Sequence, residues 1–467
     1  MSKKAIRPKR SLTVFGLAMI TTGIITSIHG SPAMAEYGLG LVVIYLIVAV
    51  VFLLPTALIS AELATGWPED GGVYVWVKEA FGNRIGFVAV WQQWIENVVW
   101  FPSILQVTVV TAVYGFAPEL QNSKWFTFCA VNTLFWSLTI ANLFGMRTSG
   151  AIATVCTIFG RIFPILCMSG LAALYLAQGN PSQTTLSLDN LVPDFSDFGM
   201  LSFIVGAFLT FAGIEASSSN AASARYPRRD YPIAILMSAG MALILVTLVA
   251  LSIAIVVPRH DISLVSGIME AIHIMLETFH LGWLVPIAGL TIALGMIGEI
   301  NNWIPAPTRG LLVAGKDGSL PRFWQRENRS SVHWAILVLQ GTVLTAISSL
   351  VLFFNIQEAF WLMNIVPTML YLIMYFLMFA AGVRLRYTHP EVPRRYRVPF
   401  GNVGIWALFI IGTLAGLVAI VFAFIPPETV AAADRPAFIA IVAIGFISFT
   451  LLPLVIFQLR KPEWKGS

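Results

Sequence analysis

Four carboxylic acids and one guanidinium interrupt apolar sequence where charge is costly. Glu62, Glu96, Glu215 and Glu299 lie in or at the ends of long hydrophobic runs, and Arg161 sits between Gly160 and Pro164 inside another. Ionisable groups at membrane depth are rare, and they face a wet cavity, a partner or an ion path. A buried carboxyl donates a hydrogen bond while protonated and changes the local field when it ionises. Glu215 and Glu299 are therefore candidate proton or pH-sensing groups. A structural role, with the carboxyl tied to backbone groups, competes for both and is the favoured reading for Glu62 and Glu96. No enzyme constellation accompanies them: there is no P-loop, no Gly-x-Ser-x-Gly, no His-Glu-x-x-His and no cysteine pair at metal-ligand spacing. Cys129, Cys156 and Cys167 read as buried free thiols. Neither a metal nor a cofactor is expected.

Two apolar runs are broken in a matching way. The first is interrupted by Thr21-Thr22-Gly23-Ile24-Ile25-Thr26-Ser27, the other by Thr210-Phe211-Ala212-Gly213-Ile214-Glu215-Ala216-Ser217. A glycine inside a helix costs about 1 kcal/mol against alanine. Lipid offers no partner to freed backbone groups, so a broken helix persists only within protein or beside a wet cavity. Paired breaks at corresponding points of two halves are the sequence mark of a transporter's binding site. A break exposes N–H groups at the start of one half-helix, which attract a carboxylate, and C=O groups at the end of the other, which attract an ammonium. Candidate donors lie around Ile24 to Ser27 and candidate acceptors around Thr210 to Gly213. The competing reading is that these small residues only let helices pack closely.

Composition supplies the setting. The chain has 467 residues, 57% hydrophobic and 11% charged, far below the roughly 25% charged of a soluble domain. Twelve segments are long and apolar enough to cross about 30 Å of hydrocarbon. They lie near 11–34, 39–64, 85–116, 125–144, 151–177, 200–221, 231–257, 282–312, 333–354, 358–383, 403–425 and 436–459. With the N-terminus in the cytoplasm, only Lys124, Arg259 and Arg435 of the 28 lysines and arginines fall in outer loops, as the positive-inside rule requires. The basic balance is thus a topology signal and does not point to nucleic acid. Both termini are expected in the cytoplasm, at residues 1–10 and 460–467. Ala33-Met34-Ala35 resembles a leader cleavage site, but the stretch before it carries the first break and reads as a retained span. Residues 11–177 and 200–383 each hold five spans and each open on a broken one. Five is odd, so the two repeats are inverted, and the spans within 403–459 stand outside them. The outer loop from Asp261 to His280 reads as a short amphipathic helix on the membrane surface.

Further motifs support a family resemblance. They are Gly71-Gly72-Val73-Tyr74-Val75-Trp76-Val77, Gly213-Ile214-Glu215-Ala216-Ser217, Asp230-Tyr231-Pro232, Gly298-Glu299-Ile300-Asn301-Asn302-Trp303 and Pro307-Thr308-Arg309-Gly310-Leu311. In this order the chain resembles permeases of the amino acid–polyamine–organocation superfamily over nearly its whole length, and most closely their glutamate/GABA antiporter branch. The resemblance implies an all-α membrane protein of twelve spans with the leucine-transporter-type 5+5 inverted repeat. It also implies exchange of amino acids or their decarboxylated amines across a plasma membrane, bacterial inner membrane being the expected location. Thr22, Gly23, Ile24, Ile25, Thr26 and Ser27 from the first break would bind substrate with Thr210, Phe211, Ala212, Gly213 and Ile214 from the second. Trp94 and Trp303 would cover it, and Phe211 would serve as a gate, although lipid-interface anchoring competes for any one tryptophan. His29 is either a group titrating at mildly acidic pH or a packed or solvated residue near the outer surface.

Some sodium-independent members of the superfamily carry a lysine near the place of Arg161, where sodium-coupled relatives bind the ion. Arg161 resembles such a built-in cation. An arginine snorkelling to the cytoplasmic interface and a counter-charge for an acidic substrate are the alternatives. Acid-resistance glutamate/GABA antiporters extend past their last span into a segment that plugs the cytoplasmic mouth. The sequence here runs only to Ser467, so no such plug is expected. A proton-coupled symporter and a non-transporting nutrient sensor remain the competing functions. Substrate identity, and whether the protein is a monomer or a homodimer in the lipid, are open at this point.

Overall fold

The computed structural model describes residues 13–69, 71–144, 158–193, 198–217, 226–328, 332–427 and 430–465. Every regular element among them is helical. Ten helices are long and apolar enough to cross a membrane, and two shorter apolar helices, Val14–Ile25 and Leu201–Ser217, contain or adjoin the breaks. We label them in chain order: α1 (Val14–Ile25), α2 (Ser31–Ala35), α3 (Gly38–Gly66), α4 (Val73–Phe81), α5 (Asn83–Val113), α6 (Lys124–Leu143), α7 (Ile158–Ala177), α8 (Leu201–Thr210), α9 (Pro227–Val256), α10 (Gly267–Thr278), α11 (Val285–Trp303), α12 (Ala306–Ala314), α13 (Trp334–Phe353), α14 (Ile356–Thr388), α15 (Gly401–Phe422) and α16 (Arg435–Gln458).

Burial runs opposite to a soluble protein. Helix α5 is buried along almost its whole length, although it is among the least apolar of the spans. It packs along α14, whose start is fixed by a capping box: Asn355 accepts from the Glu358 N–H, and the Glu358 carboxylate accepts from the Asn355 N–H. The two form the centre of the molecule. By contrast α15 and α16 turn Leu414, Val418, Val421, Ile444, Ile447 and Leu451 outward. A lipid-facing helix must be apolar on its outside, whereas a central helix can carry polar groups that pair with its neighbours. Cys129 and Cys167 also face outward as free thiols, which corrects their reading as buried. Hydrocarbon accepts a thiol's weak polarity at little cost. Cys156 lies outside the described residues. The surface helix expected in the loop from Asp261 to His280 is α10, which buries Ile268, Met269, Ile272 and Met275 and leaves His273 and Glu277 out.

The first break sits later than its sequence suggests. The α1 ladder continues through Gly23, its last bond runs from the Thr26 N–H to the Thr22 carbonyl (2.9 Å), and the chain is non-helical only from Thr26 to Gly30. Hydroxyl residues are compatible with a helix, so the Thr21-Thr22 pair did not end it. The second break lies where expected: α8 stops at Thr210, and Phe211 to Gly213 leave the helix, with Gly213 at φ 98°. That left-handed conformation favours glycine.

Two backbones touch where α7 crosses α11. A Cβ on Gly160 would fall 2.4 Å from the Gly295 Cα, so only glycines allow this approach. Around Gly160 the helix opens into a π turn over Ile158–Ile162. Pro164, next in the helix, has no N–H to return to the Gly160 carbonyl.

Candidate functional site

The breaks face each other across a narrow pocket with about 350 Å³ of empty space. Ile24, Ile25, Ser27 and His29 line it from the first break, and Leu209, Thr210 and Ala212 from the second. Helix α5 contributes Glu96, Asn97 and Trp100, α11 contributes Glu299 and Trp303, and α14 contributes Tyr371.

Backbone polarity differs between the two edges. The N–H groups of Ser27, Ile28, His29 and Gly30 form no hydrogen bond to a described residue. The carbonyls of Thr210, Phe211 and Ala212 likewise accept none. Unmatched donors on one edge and unmatched acceptors on the other suit a ligand bearing a carboxylate and an ammonium. The donors lie a few residues beyond the Ile24-to-Ser27 stretch inferred from sequence, because the break itself does.

Each break is braced by a distant helix. With the Ser27 N–H unbonded, the Gly23 carbonyl has lost its helical partner, and Arg161 Nη1 donates to it at 2.6 Å. The same guanidinium donates through Nη2 to Glu299 on α11, and both side chains are at most 4% exposed. The Gly160–Gly295 crossing sets this pair, since Glu299 lies one turn from Gly295 on the same face of α11. At the second break, the Gly213 N–H donates to the Tyr375 hydroxyl at 2.7 Å. Glu215 accepts from Tyr371 and Tyr375, each at 2.6 Å, and from Gln93 Nε2 at 3.0 Å.

The aromatic side chains divide between the cavity and its surroundings. Trp303 packs its ring over Gly213 and edge-on to Trp100, with centroids 6.4 Å apart. Trp94 does not reach the cavity: its indole N–H donates to Gln340 on α13 at 3.2 Å, and its ring packs on Trp91. Phe211 is fully buried behind the lining, edge-on to Tyr45. Gly213 and Ile214, expected to bind substrate, are not among the lining residues, and Ile214 is fully buried. Thr22 reaches Met241 on α9, and Thr26 is buried with its hydroxyl unpartnered.

Of the readings considered for His29, titrating, packed or solvated, the structure shows a buried, packed residue that lines the cavity. Its Nδ1 lies 2.8 Å from Ser27 Oγ, and its Nε2 lies 3.0 Å from Asn364 Oδ1 and accepts from the Trp100 indole at 3.2 Å. Asn97, Trp100, Leu209 and Tyr371 are lining residues not singled out from sequence. A signal existed for α14: Asn364, Thr368, Tyr371 and Tyr375 recur at helical spacing along one face of the tenth apolar run. Glu96, favoured as structural, lines the cavity. Glu62 instead belongs to a knot near the ends of α3 and α14. There Arg386 donates to both its oxygens (2.8 and 2.5 Å), the Val398 N–H donates at 2.7 Å, and Arg394 lies 3.4 Å away.

A buried cavity between two oppositely polarised helix breaks, within a bundle of membrane-crossing helices, has the architecture of a membrane transporter and not of an enzyme. The chain belongs to the amino acid permease family, which matches residues 12–448 and lies within the amino acid–polyamine–organocation superfamily. An uncharacterised transporter of Legionella pneumophila is 36% identical over 95% of this chain and 96% of its own length. A glutamate/gamma-aminobutyrate antiporter of Lactococcus lactis is 30% identical over 97% and 91% of the two chains. A probable agmatine/putrescine antiporter of the same organism is 25% identical over 82% and 81%.

Proposed function

We propose that this chain is a secondary active amino acid transporter, an antiporter that exchanges an amino acid for an amine by alternating access without sodium. One observation carries the reading: N–H groups at one break and C=O groups at the other, without hydrogen-bond partners among the described residues, border a single cavity. Such a site holds the two charged ends common to amino acids while leaving the side chain to the walls. Two relatives are named as antiporters of amino acids or amines, which supports exchange over symport.

In this reading α1 to α7 and α8 to α14 are the two inverted repeats of a leucine-transporter-type fold, with α15 and α16 outside them. The bundle containing both breaks rocks against the remaining helices. Arg161 acts as a fixed cation between α1 and α11, which removes the need for a bound sodium ion. Glu215 and Glu299, buried and hydrogen-bonded at the two breaks, modulate exchange with pH. The protein would lie in the plasma membrane, with its basic loops and both termini in the cytoplasm.

Counterflow in proteoliposomes tests this. Labelled substrate should enter only vesicles preloaded with an amino acid or amine, at equal rates in sodium, potassium and choline. Uptake into empty vesicles driven by a proton gradient would replace exchange with symport. A protein that binds amino acids but moves none would be a sensor.

A further inference from the structure

Three carboxylates stand at or behind the cavity wall, and two have their charge answered. Glu299 is paired with Arg161. Glu215 accepts from two phenols and an amide. Glu96 differs. It lines the cavity, is 2% exposed, and receives one hydrogen bond, from the side-chain amide of its neighbour Asn97 at 2.6 Å. That amide also donates to the Gln93 carbonyl at 2.9 Å. Among the described residues no cation lies within ion-pair distance of Glu96, and its second oxygen has no hydrogen-bond partner. A buried carboxylate without a counter-charge is expensive, so a ligand that brings a cation supplies the partner with which Glu96 can ionise.

The rest of the cavity fits such a ligand. Trp100, Trp303 and Tyr371 line it with aromatic rings, whose faces attract ammonium and guanidinium groups. The helix breaks already provide for one carboxylate and one ammonium. Glu96 is therefore surplus to a simple amino acid and gives an acidic side chain no cation to pair with.

We propose that Glu96 is the specificity-determining residue of this cavity, and that it selects substrates carrying an ammonium or guanidinium at the far end of the chain, namely basic amino acids and diamines. The inference rests on the transport reading above and narrows its substrate class. A glutamate side chain would set a second carboxylate against Glu96, so acidic amino acids are the disfavoured cargo.

The test has a binding arm and a transport arm. Purified wild-type protein is titrated with lysine, agmatine, putrescine and glutamate, and thermal stabilisation is followed, because binding to the folded state raises apparent stability. The cationic ligands should bind at least about tenfold more tightly than glutamate, as about 1.4 kcal/mol from one buried charge pair gives. In Glu96→Gln that ratio should fall about tenfold or more, and counterflow should show the same shift in cargo preference. Tighter wild-type binding of glutamate overturns the proposal whether or not Glu96→Gln folds. An unchanged ratio in a folded variant overturns it too, as does glutamate uptake that loses its proton dependence in Glu96→Gln, which would make Glu96 a proton carrier. If wild type moves no cargo, the transport reading fails and the binding arm still decides the specificity of the cavity.

Discussion

The two helix breaks do the same work with different chemistry. At the first, the carbonyl that the helix abandons is held by a charge: Arg161 bonds Gly23 and is itself paired with Glu299. At the second, the backbone is held by hydroxyl groups: Tyr375 accepts from Gly213, and with Tyr371 it donates to Glu215. The first brace joins α1 to α7 and α11, while the second joins the α8 break to α14 and, through Gln93, to α5. The conformational burden differs as well. The first break needs no unusual residue, whereas the second turns at Gly213 with φ 98° under the Trp303 ring. A chain can thus open a helix inside lipid either by supplying an ion pair or by supplying a glycine turn clasped by phenols. The two should respond differently to mutation.

The largest effect is expected at the ionic brace. Arg161→Ala leaves Glu299 buried without its partner, which costs about 3–5 kcal/mol. We expect a marked fall in melting temperature and a loss of exchange exceeding about a hundredfold. The apolar double variant Arg161→Met/Glu299→Leu should recover stability, as replaced buried pairs commonly do, without recovering exchange. Wild-type exchange rates in that double variant would reduce the ion pair to a packing element.

The glycines give the next contrast. Gly213→Ala forces a Cβ into a left-handed position 3.0 Å from the Trp303 ring, a strain of about 1–3 kcal/mol, and exchange should fall at least about tenfold. Gly23→Ala places alanine inside a regular helix and should stabilise by up to about 1 kcal/mol. Melting temperatures of the two variants should therefore move in opposite directions. Equal destabilisation would mean that the first break begins at Gly23 after all.

Removing one hydroxyl from the second brace should cost less than breaking the ion pair. Tyr375→Phe leaves the Gly213 N–H unbonded and takes one donor from Glu215, about 1–3 kcal/mol by loss of buried hydrogen bonds. Calorimetric or fluorescence melting reads this directly, and a stability within about 0.5 kcal/mol of wild type would show that water replaces the phenol. The smallest effect is expected at Trp94, which bonds Gln340 and does not reach the cavity. Trp94→Phe should cost about 1 kcal/mol of stability and change the half-saturation concentration for exchange less than about twofold. A tenfold increase would place Trp94 against the substrate in another state of the cycle.

Much of the architecture was legible because lipid imposes simple rules. Apolar length marked the membrane-crossing helices, ten of which are long and apolar enough among the described residues, and a glycine among polar residues inside an apolar run marked the second break to within a residue. Glu215 and Glu299 stood out because charge in such runs is rare. The first break was harder to read. Thr21 to Ser27 is a continuous string of hydroxyl, glycine and β-branched residues, each tolerated in a helix, and nothing local says where the ladder stops.

Partners from far along the chain settle what the string leaves open. Gly23 meets Arg161 across 138 residues, and His29 meets Asn364 across 335. The sequence by itself determined that the helices cross a membrane and that two of them must open, since unpaired backbone and charge are costly in hydrocarbon wherever they occur. Tertiary structure decided where the first opens, which carboxylate is paired and which is left facing the cavity. Those outcomes depend on which side chains the Gly160–Gly295 crossing and the packing of α5 against α14 bring within hydrogen-bonding distance, and that distance is not written in local sequence.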